Sequence, residues 1–476
     1  MQITSPRFKQ NAHEALGDAA LQRALGNLKA GFPGKRAAAV ARMPEFEQLR
    51  DAARDLKNHI LEHLDFYLET FEANVKRRGG HVHWARDAEE ARAIVLDICR
   101  KAGAKTVTKG KSMITEEIGL NDHLAANGIE PIETDLGEYI IQLRGEHPSH
   151  IIAPAIHVNL DQVSDAFHAH HGKYGKTERQ TEPRALMNEA REILRDKFIA
   201  ADVGITGANF CIAETGTTVI VTNEGNGDLT QTLPRVHVAV TSIEKVVPTL
   251  EDATLLHRLL SRSATGQEIE VYGTWSSGPR RPEDPDGPAE YHVVLLDNGR
   301  SNMLGNEFRE MLRCIRCSAC MNHCPVYGAI GGHAYGWVYP GPMGSVLTPA
   351  FIGVEQAGNL PNASTFCGRC ESVCPVRIPL PKLMRHWRAR EFEKHLTPQG
   401  FRFGLGVWAW LARRPKLYRL ATQVATRVLK PLGGKTNRIG SLPLAGGWTA
   451  WRDLPAPQGR TFFEQWKDRQ QAGGAK

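Results

Sequence analysis

Seven of the chain's nine cysteines fall between Cys314 and Cys374, and their spacing constrains the fold more than any other feature. Cys314, Cys317, Cys320 and Cys324, followed by Pro325, form C-x2-C-x2-C-x3-C-P. This spacing wraps three thiolates around one face of a cubane iron–sulfur cluster and sends the fourth to a second cluster. Cys367, Cys370 and Cys374, followed by Pro375, repeat the last three positions. The same crossover predicts a first cluster held by Cys314, Cys317, Cys320 and Cys374, and a second held by Cys324, Cys367 and Cys370. Soft thiolates suit iron–sulfur cores, the intervening turns supply N–H groups to the anionic cluster, and proline stops each turn from continuing as helix. Paired zinc sites usually use two separated C-x2-C knuckles, which three cysteines at two-residue intervals do not match. Ser364 stands where the second motif would have its first cysteine. Two outcomes are open for that cluster: a [4Fe-4S] cubane completed by a non-cysteine ligand, or a [3Fe-4S] core.

The length of 476 residues suggests about three domains. No run of 18 apolar residues occurs, and Met1-Gln-Ile-Thr-Ser-Pro lacks a basic segment followed by an apolar one, so a cytoplasmic location is expected. Net charge is +7, but residues 391–476 carry 15 Lys or Arg against 5 Asp or Glu, leaving 44 against 47 in the rest.

The first 80 residues read as helical, with Leu56, Ile60, Leu64 and Leu68 at helical spacing and Gly79-Gly80 as a stop. Beyond them, strand signals at Val82–Trp84, Thr106–Thr108, Ile129–Thr134 and Ile140–Leu143 alternate with helical runs at 88–101 and 116–127. Further strands are expected at Thr217–Thr222, Val236–Val240, Ile269–Tyr272 and Tyr291–Leu296, with helices over 183–199 and 251–262. Such alternation argues for a parallel or mixed sheet covered by helices. The expected organisation is therefore a helical segment over 1–80, an α/β domain over 81–300, an α-helical ferredoxin-type two-cluster domain over 302–385, and a basic extension over 391–476.

Other motifs are weaker. Gly110-Lys111-Ser112 resembles the end of a phosphate loop, but the required first glycine would fall at Lys105, so a turn after a strand is expected. Gly225-Asn-Gly227 lacks the third glycine of a dinucleotide fingerprint. His168, His170 and His171 read as solvated. Glu214-Thr-Gly-Thr217 and Asn223-Glu-Gly-Asn226 flank one strand, and such loops at sheet edges commonly hold ligands.

Taken with Cys367-Gly-Arg-Cys-Glu-Ser-Val-Cys-Pro-Val, the segment Ala213-Glu-Thr-Gly-Thr-Thr-Val-Ile-Val-Thr-Asn-Glu-Gly-Asn-Gly resembles the lactate utilization protein B family over essentially the whole chain. The resemblance implies a cytoplasmic iron–sulfur subunit of a system that oxidises L-lactate to pyruvate and supports growth on lactate. It implies two [4Fe-4S] clusters on the seven cysteines, favouring a cubane despite Ser364. It also implies an N-terminal domain similar to ribose-phosphate isomerase and CoA-transferase folds, and lactate utilization proteins A and C as partners.

Two adjacent clusters form a one-electron relay, so electron transfer is the leading expectation; whether the chain is itself an enzyme is left open. No flavin or nicotinamide fingerprint appears to take a hydride. One alternative puts the lactate dehydrogenase site in the N-terminal domain. Another is an iron–sulfur nucleic-acid-binding regulator using the basic tail and Trp408, Trp410, Trp448 and Trp451, although no recognised nucleic-acid-reading motif is present and nucleic acid is not expected. From Lys394 to Arg452 there are 11 Lys or Arg and no acidic residue. A basic stretch of this kind fits docking on a partner subunit, with peripheral contact at the inner face of a membrane, where a quinone could be met, as the second choice.

Overall fold

The computed structural model describes residues 3–442, 446–449 and 452–473; Met1, Gln2 and Trp451 lie outside the described residues. The chain divides into two compact units, one ending at Lys394 and one beginning at His395.

The first unit opens with helices Phe8–Gly17, Ala19–Ala41, Phe46–Glu62 and Leu64–Arg77. Ile60, Leu64 and Leu68 are buried, as their spacing predicts. Gly79 ends the last helix at φ +86°, and the Gly80 N–H donates to Val75 O at 3.0 Å, closing the helix with its terminal carbonyls satisfied.

Ten strands follow: β1 His81–Ala85, β2 Thr106–Lys109, β3 Glu130–Glu133, β4 Val203–Thr206, β5 Phe210–Ile212, β6 Thr217–Thr222, β7 Val236–Ser242, β8 Val246–Val247, β9 Tyr272–Ser276 and β10 Glu290–Leu296. Six form an all-parallel sheet in the order β1-β10-β7-β4-β2-β3, with Val236 opposite Val203 and Glu290, and Val107 opposite Val203 and Pro131. β7 is buried along its whole length, His237, Thr241 and Ser242 included, because both faces of a parallel sheet are covered. The other four form a smaller mixed sheet in the order β8-β5-β6-β9.

Three expectations change. Ile140–Leu143 is not a strand but the end of helix Leu136–Leu143, because Asp135 caps it by accepting from the N–H groups of Gly137 and Glu138 at 3.0 and 3.2 Å. The strand expected from Ile269 begins instead at Tyr272; Ile269 and Val271 are 74% and 61% exposed, so their β-branching has no buried face to serve. The helix expected over 116–127 is two, Met113–Glu117 and Leu120–Ala126, separated at Gly119 where φ is +61°.

One apolar cluster runs from the N-terminal helices (Leu25, Phe46, Phe71) through Phe210 to Met321, Val346 and Leu383 of the cysteine-bearing segment. A buried ionic network fixes the same elements in register. Arg300, just after β10, donates to both oxygens of Glu117 at 2.9 and 2.7 Å, and its Nε stands 3.0 Å from Glu244 Oε2. The Tyr339 hydroxyl donates to Glu117 at 2.6 Å, Arg316 donates to Glu244 at 3.2 Å, and Lys57 Nζ donates to the main-chain oxygen of Glu244 at 2.6 Å. Burial alone would raise the Glu244 carboxyl, but Arg300, Arg316 and Lys245 hold it down at about 2.

The second unit contains helices Gln399–Ala412 and Pro415–Leu429, a short antiparallel pairing of Arg438–Ile439 with Leu454–Pro455, and helix Phe462–Gly473. Pro415, a residue that suits a helix's first turn, starts its helix. Phe403, Trp408, Leu420 and Val428 are exposed. Among the described residues, no helix is long and apolar enough to cross a membrane.

Replacing Arg300 with Met should strand Glu117 and Glu244 without their shared cation. A loss of about 3–5 kcal/mol is expected in denaturant unfolding, larger than for a surface Arg such as Arg281.

Candidate metal centre and the cavity beside it

Both cysteine motifs are wrapped by the same unusual backbone. Arg316 and Ser318, on either side of Cys317, have φ of +59° and +54°; Phe366 and Gly368, on either side of Cys367, have +54° and +76°. Each loop then enters a short helix, Ala319–Asn322 or Arg369–Ser372. This winding turns amides toward sulfur. The N–H two residues beyond each of Cys317, Cys324, Cys367 and Cys374 favours that residue's thiolate, and Tyr327 and Ile378 N–H donate to Cys324 and Cys374 Sγ at 3.5 and 3.3 Å.

Cys314, Cys317, Cys320 and Cys374 line one small space walled by apolar side chains, among them Met311, Met343 and Leu380. Cys324, Cys367 and Cys370 lie within electrostatic reach of one another. Burial, reinforced by neighbouring thiols, pushes Cys317 and Cys370 up to about 12, while Cys367 is exposed and held below the usual thiol value chiefly by the Arg369 N–H. Arg50 braces the second motif, donating from Nε and a terminal nitrogen to Cys374 O at 3.0 and 2.7 Å. Ser364 Oγ accepts from Phe366 N–H at 3.2 Å. Cys99 and Cys211 are buried apart from these groups, with thiols raised to about 12 by burial.

Among the described residues no three thiols approach within 4.8 Å of one another; only Glu116, Glu133 and Glu138 do so, around the buried ammonium of Lys109. A single tetrahedral zinc ion with bonds of about 2.3 Å would draw its sulfurs to about 3.8 Å. Convergent but separated thiols with amides aimed at sulfur fit a polynuclear iron–sulfur core.

A cavity of about 480 Å³ adjoins this centre. It opens at the carboxyl ends of the parallel strands, between Lys111 after β2, Asp135 after β3 and Gly207 after β4. β2 and β4 are neighbours, yet the chain leaves β2 toward β3 and leaves β4 toward β7, so the cavity sits at a topological switch point, where open α/β sheets bind ligands. Ile151 and Arg316 line both this cavity and the four-cysteine space.

The flanking loops singled out in the sequence separate here. Asn223 and Glu224 line the cavity. Glu214 instead accepts from Leu250 N–H at 2.8 Å, Thr217 pairs with Ser277 Oγ at 2.7 Å, and Gly216, at φ +66°, packs where a Cβ would strike the Val75 backbone. Gly110-Lys111-Ser112 is a strand-to-helix turn, with Ser112 accepting from Thr115 N–H. His168 and His170 are exposed, but His171 is fully buried between the Tyr139 hydroxyl at 3.0 Å and Glu189 at 2.6 Å. Lys245 and Arg316 were not singled out as cavity residues. Lys245 follows an ordinary buried strand and carries no local signal; position 316, inside C-x2-C, was the one available hint.

Three family models match the chain: the LUD domain over residues 68–296, a 4Fe-4S dicluster domain over 310–378, and the C-terminal region of lactate utilisation protein B over 395–471. Lactate utilization protein B of Bacillus licheniformis is 41% identical over 478 residues, covering 100% of this chain and 99% of its own. The protein of that name from Shouchella clausii is 44% identical over 483 residues and that from Lysinibacillus sphaericus 42% over 472, each covering at least 98% of both chains.

The loop that walls the cavity is pinned by His150. Its Nδ1 accepts from Ile152 and Ala153 N–H at 3.1 and 3.0 Å, so Nε2 carries the proton and donates to Asn322 Oδ1 at 2.8 Å. Burial drives the imidazole down to about 4. The unfolded chain therefore binds a proton near pH 6.5 that the folded chain refuses, and stability falls as pH drops from about 6.5 toward 4, by on the order of 3 kcal/mol from this residue. Urea midpoints at pH 7 and pH 5 should show a smaller pH penalty in His150→Asn than in the wild type.

Proposed function

The chain belongs to the lactate utilization protein B family, and on that premise we propose that it is the iron–sulfur electron-transfer subunit of a multi-component system oxidising L-lactate to pyruvate. The observation that carries this reading is the meeting of seven thiols in two neighbouring groups, each wound in a backbone that aims amides at sulfur. Two clusters bound there would supply one-electron steps. Cys314, Cys317, Cys320 and Cys374 would hold the first; Cys324, Cys367 and Cys370 would hold the second, as a [4Fe-4S] cubane completed by a non-cysteine ligand or as a [3Fe-4S] core. The chain's own residues wall the first group with apolar side chains and brace its loops through Arg50 and Arg316. The parallel sheet is in keeping with an isomerase- or CoA-transferase-like domain.

Lactate utilization proteins A and C are the proposed partners, acting in the cytoplasm, with the second unit as the docking element. Its Lys and Arg residues suit an acidic subunit surface, and its exposed Trp and Leu residues give such contact an apolar centre. A second reading, in which this chain itself receives the acid, is favoured by the cavity at the switch point.

Anaerobic purification with iron and sulfide analysis, followed by EPR with and without the partners after L-lactate is added, tests the function. Reduction only in the presence of partners supports the relay; reduction of the isolated chain moves lactate oxidation here. Cys374→Ser should abolish the same EPR signal as Cys317→Ser, and Cys324→Ser the same signal as Cys370→Ser; loss of one signal by both Cys324→Ser and Cys317→Ser overturns the ligand assignment. Removing residues 391–476 should leave iron content unchanged and weaken partner binding by about tenfold or more, and raising salt should weaken it in the intact chain.

A further inference from the structure

We propose that the cavity at the carboxyl end of the parallel sheet binds a small organic carboxylate of the hydroxy- or keto-acid class, its anionic end held by Lys245 and Arg316. The choice of acid rests on the lactate reading above; the cation pair and the cavity stand without it.

Lys245 carries the proposal furthest. Its side chain lines the cavity and the residue is only 6% exposed, yet among the described residues its ammonium has neither a carboxylate at ion-pair distance nor a hydrogen-bond acceptor. An ammonium that opens only onto the cavity, with Glu244 and the cysteines acting on it at longer range, favours an anion entering there. The neighbouring buried lysines are each provided for: Lys57 donates to Glu244 O, Lys109 meets Glu133 and Glu116 at 2.7 and 3.0 Å, and Lys111 meets Asp135 at 3.2 Å. Arg316 adds a second set of donors. One terminal nitrogen is engaged with Glu244, its guanidinium lies 4.9 Å from the centre of the Tyr339 ring, and its buried Nε has no acceptor.

Glu244, the preceding residue, acts on Lys245 only at longer range and is engaged by Arg300 and Arg316, and the carboxylates lining the cavity make no contact with Lys245. Asp135 is taken by Lys111 and by the helix it caps, and Glu270 by Ser261 and His257. Glu224 stands at the exposed rim. Lys245 acts on Cys314 electrostatically, but Ile151 and Arg316 line the four-cysteine space as well as the cavity, whereas Lys245 lines only the cavity. A carboxylate bridging Lys245 and Arg316 would meet charge-assisted donors on one side and the apolar wall of Ile152 and Leu260 on the other, the mixture that fixes a small acid's orientation. Because Arg316 lies between Cys314 and Cys317, the bound acid would sit directly against the first cysteine loop.

The test uses the full chain purified anaerobically, with iron and sulfide measured on every sample, and calorimetric or ligand-observed NMR titration with L-lactate, pyruvate, neutral lactamide and inorganic phosphate. Lactate or pyruvate should bind saturably, and lactamide about tenfold or more weaker. Lys245→Met should weaken acid binding by about tenfold or more, the range expected for losing a charge-assisted hydrogen bond. Ala208→Leu narrows the cavity without touching a charge and should weaken it too; it decides the matter if the lysine variant does not fold. Absence of acid binding, unchanged affinity in folded variants, or equal binding of phosphate overturns the proposal. So does a shifted cluster potential in Lys245→Met with acid affinity unchanged, which would assign the ammonium to the cluster. Iron content separates the two readings: a wild type that binds acid but assembles no clusters removes the relay and leaves the site, and a cluster-loaded wild type that binds none does the reverse.

Discussion

The bidentate contact of Arg300 with Glu117, extended through Glu244 to Arg316, is the interaction on which the geometry of the first unit depends. Apolar packing joins the same elements but is non-directional. A planar guanidinium held by two carboxylates, one at the end of helix Met113–Glu117 and one just after β7, permits one orientation. Its charges alternate, two arginines against two glutamates, so the network compensates itself without solvent. Removing any member leaves a buried charge exposed to low dielectric, and the penalty exceeds what the intact pair contributes. Arg316 belongs at once to this network, to the cysteine loop and to the cavity wall, so the three share one mechanical reference.

The surroundings of the two thiol groups differ in kind. The first is enclosed, and Arg36, Lys57, Lys245 and Arg316 all act on its cysteines electrostatically. Burial would oppose the negative charge of a thiolate-bound core, and these cations would offset it. The second group has an exposed member, Cys367, whose thiolate is favoured mainly by a backbone amide. The same ligand chemistry is thus supported by fixed cations in one place and by solvent and peptide dipoles in the other.

Much of this architecture was legible in the sequence because it is encoded locally. Thr217–Thr222 has the limits its β-branched run suggests, and Ala88–Lys101 is bounded by the Asp87 cap and the turn at Gly103. The cysteines were legible for a similar reason: loop winding depends on spacing within a few residues. Ile140–Leu143 was not, since a four-residue apolar run serves a helix as well as a strand and the deciding signal was the cap at Asp135. Lys245 and Arg316 are 71 positions apart in the chain and meet only because the sheet order brings the end of β7 beside the cysteine segment. No pattern along the chain records such a meeting.

The left-handed residues around Cys317 and Cys367 bear on how the cysteine loops keep their shape. Three of the four, Arg316, Ser318 and Phe366, carry side chains, and each disfavours that backbone by roughly 1–2 kcal/mol, so a free chain leaves the loops for more extended shapes. The packing around both loops supplies the compensation. The shape of the cysteine loops is thus imposed from outside by their neighbours rather than chosen by the loops themselves.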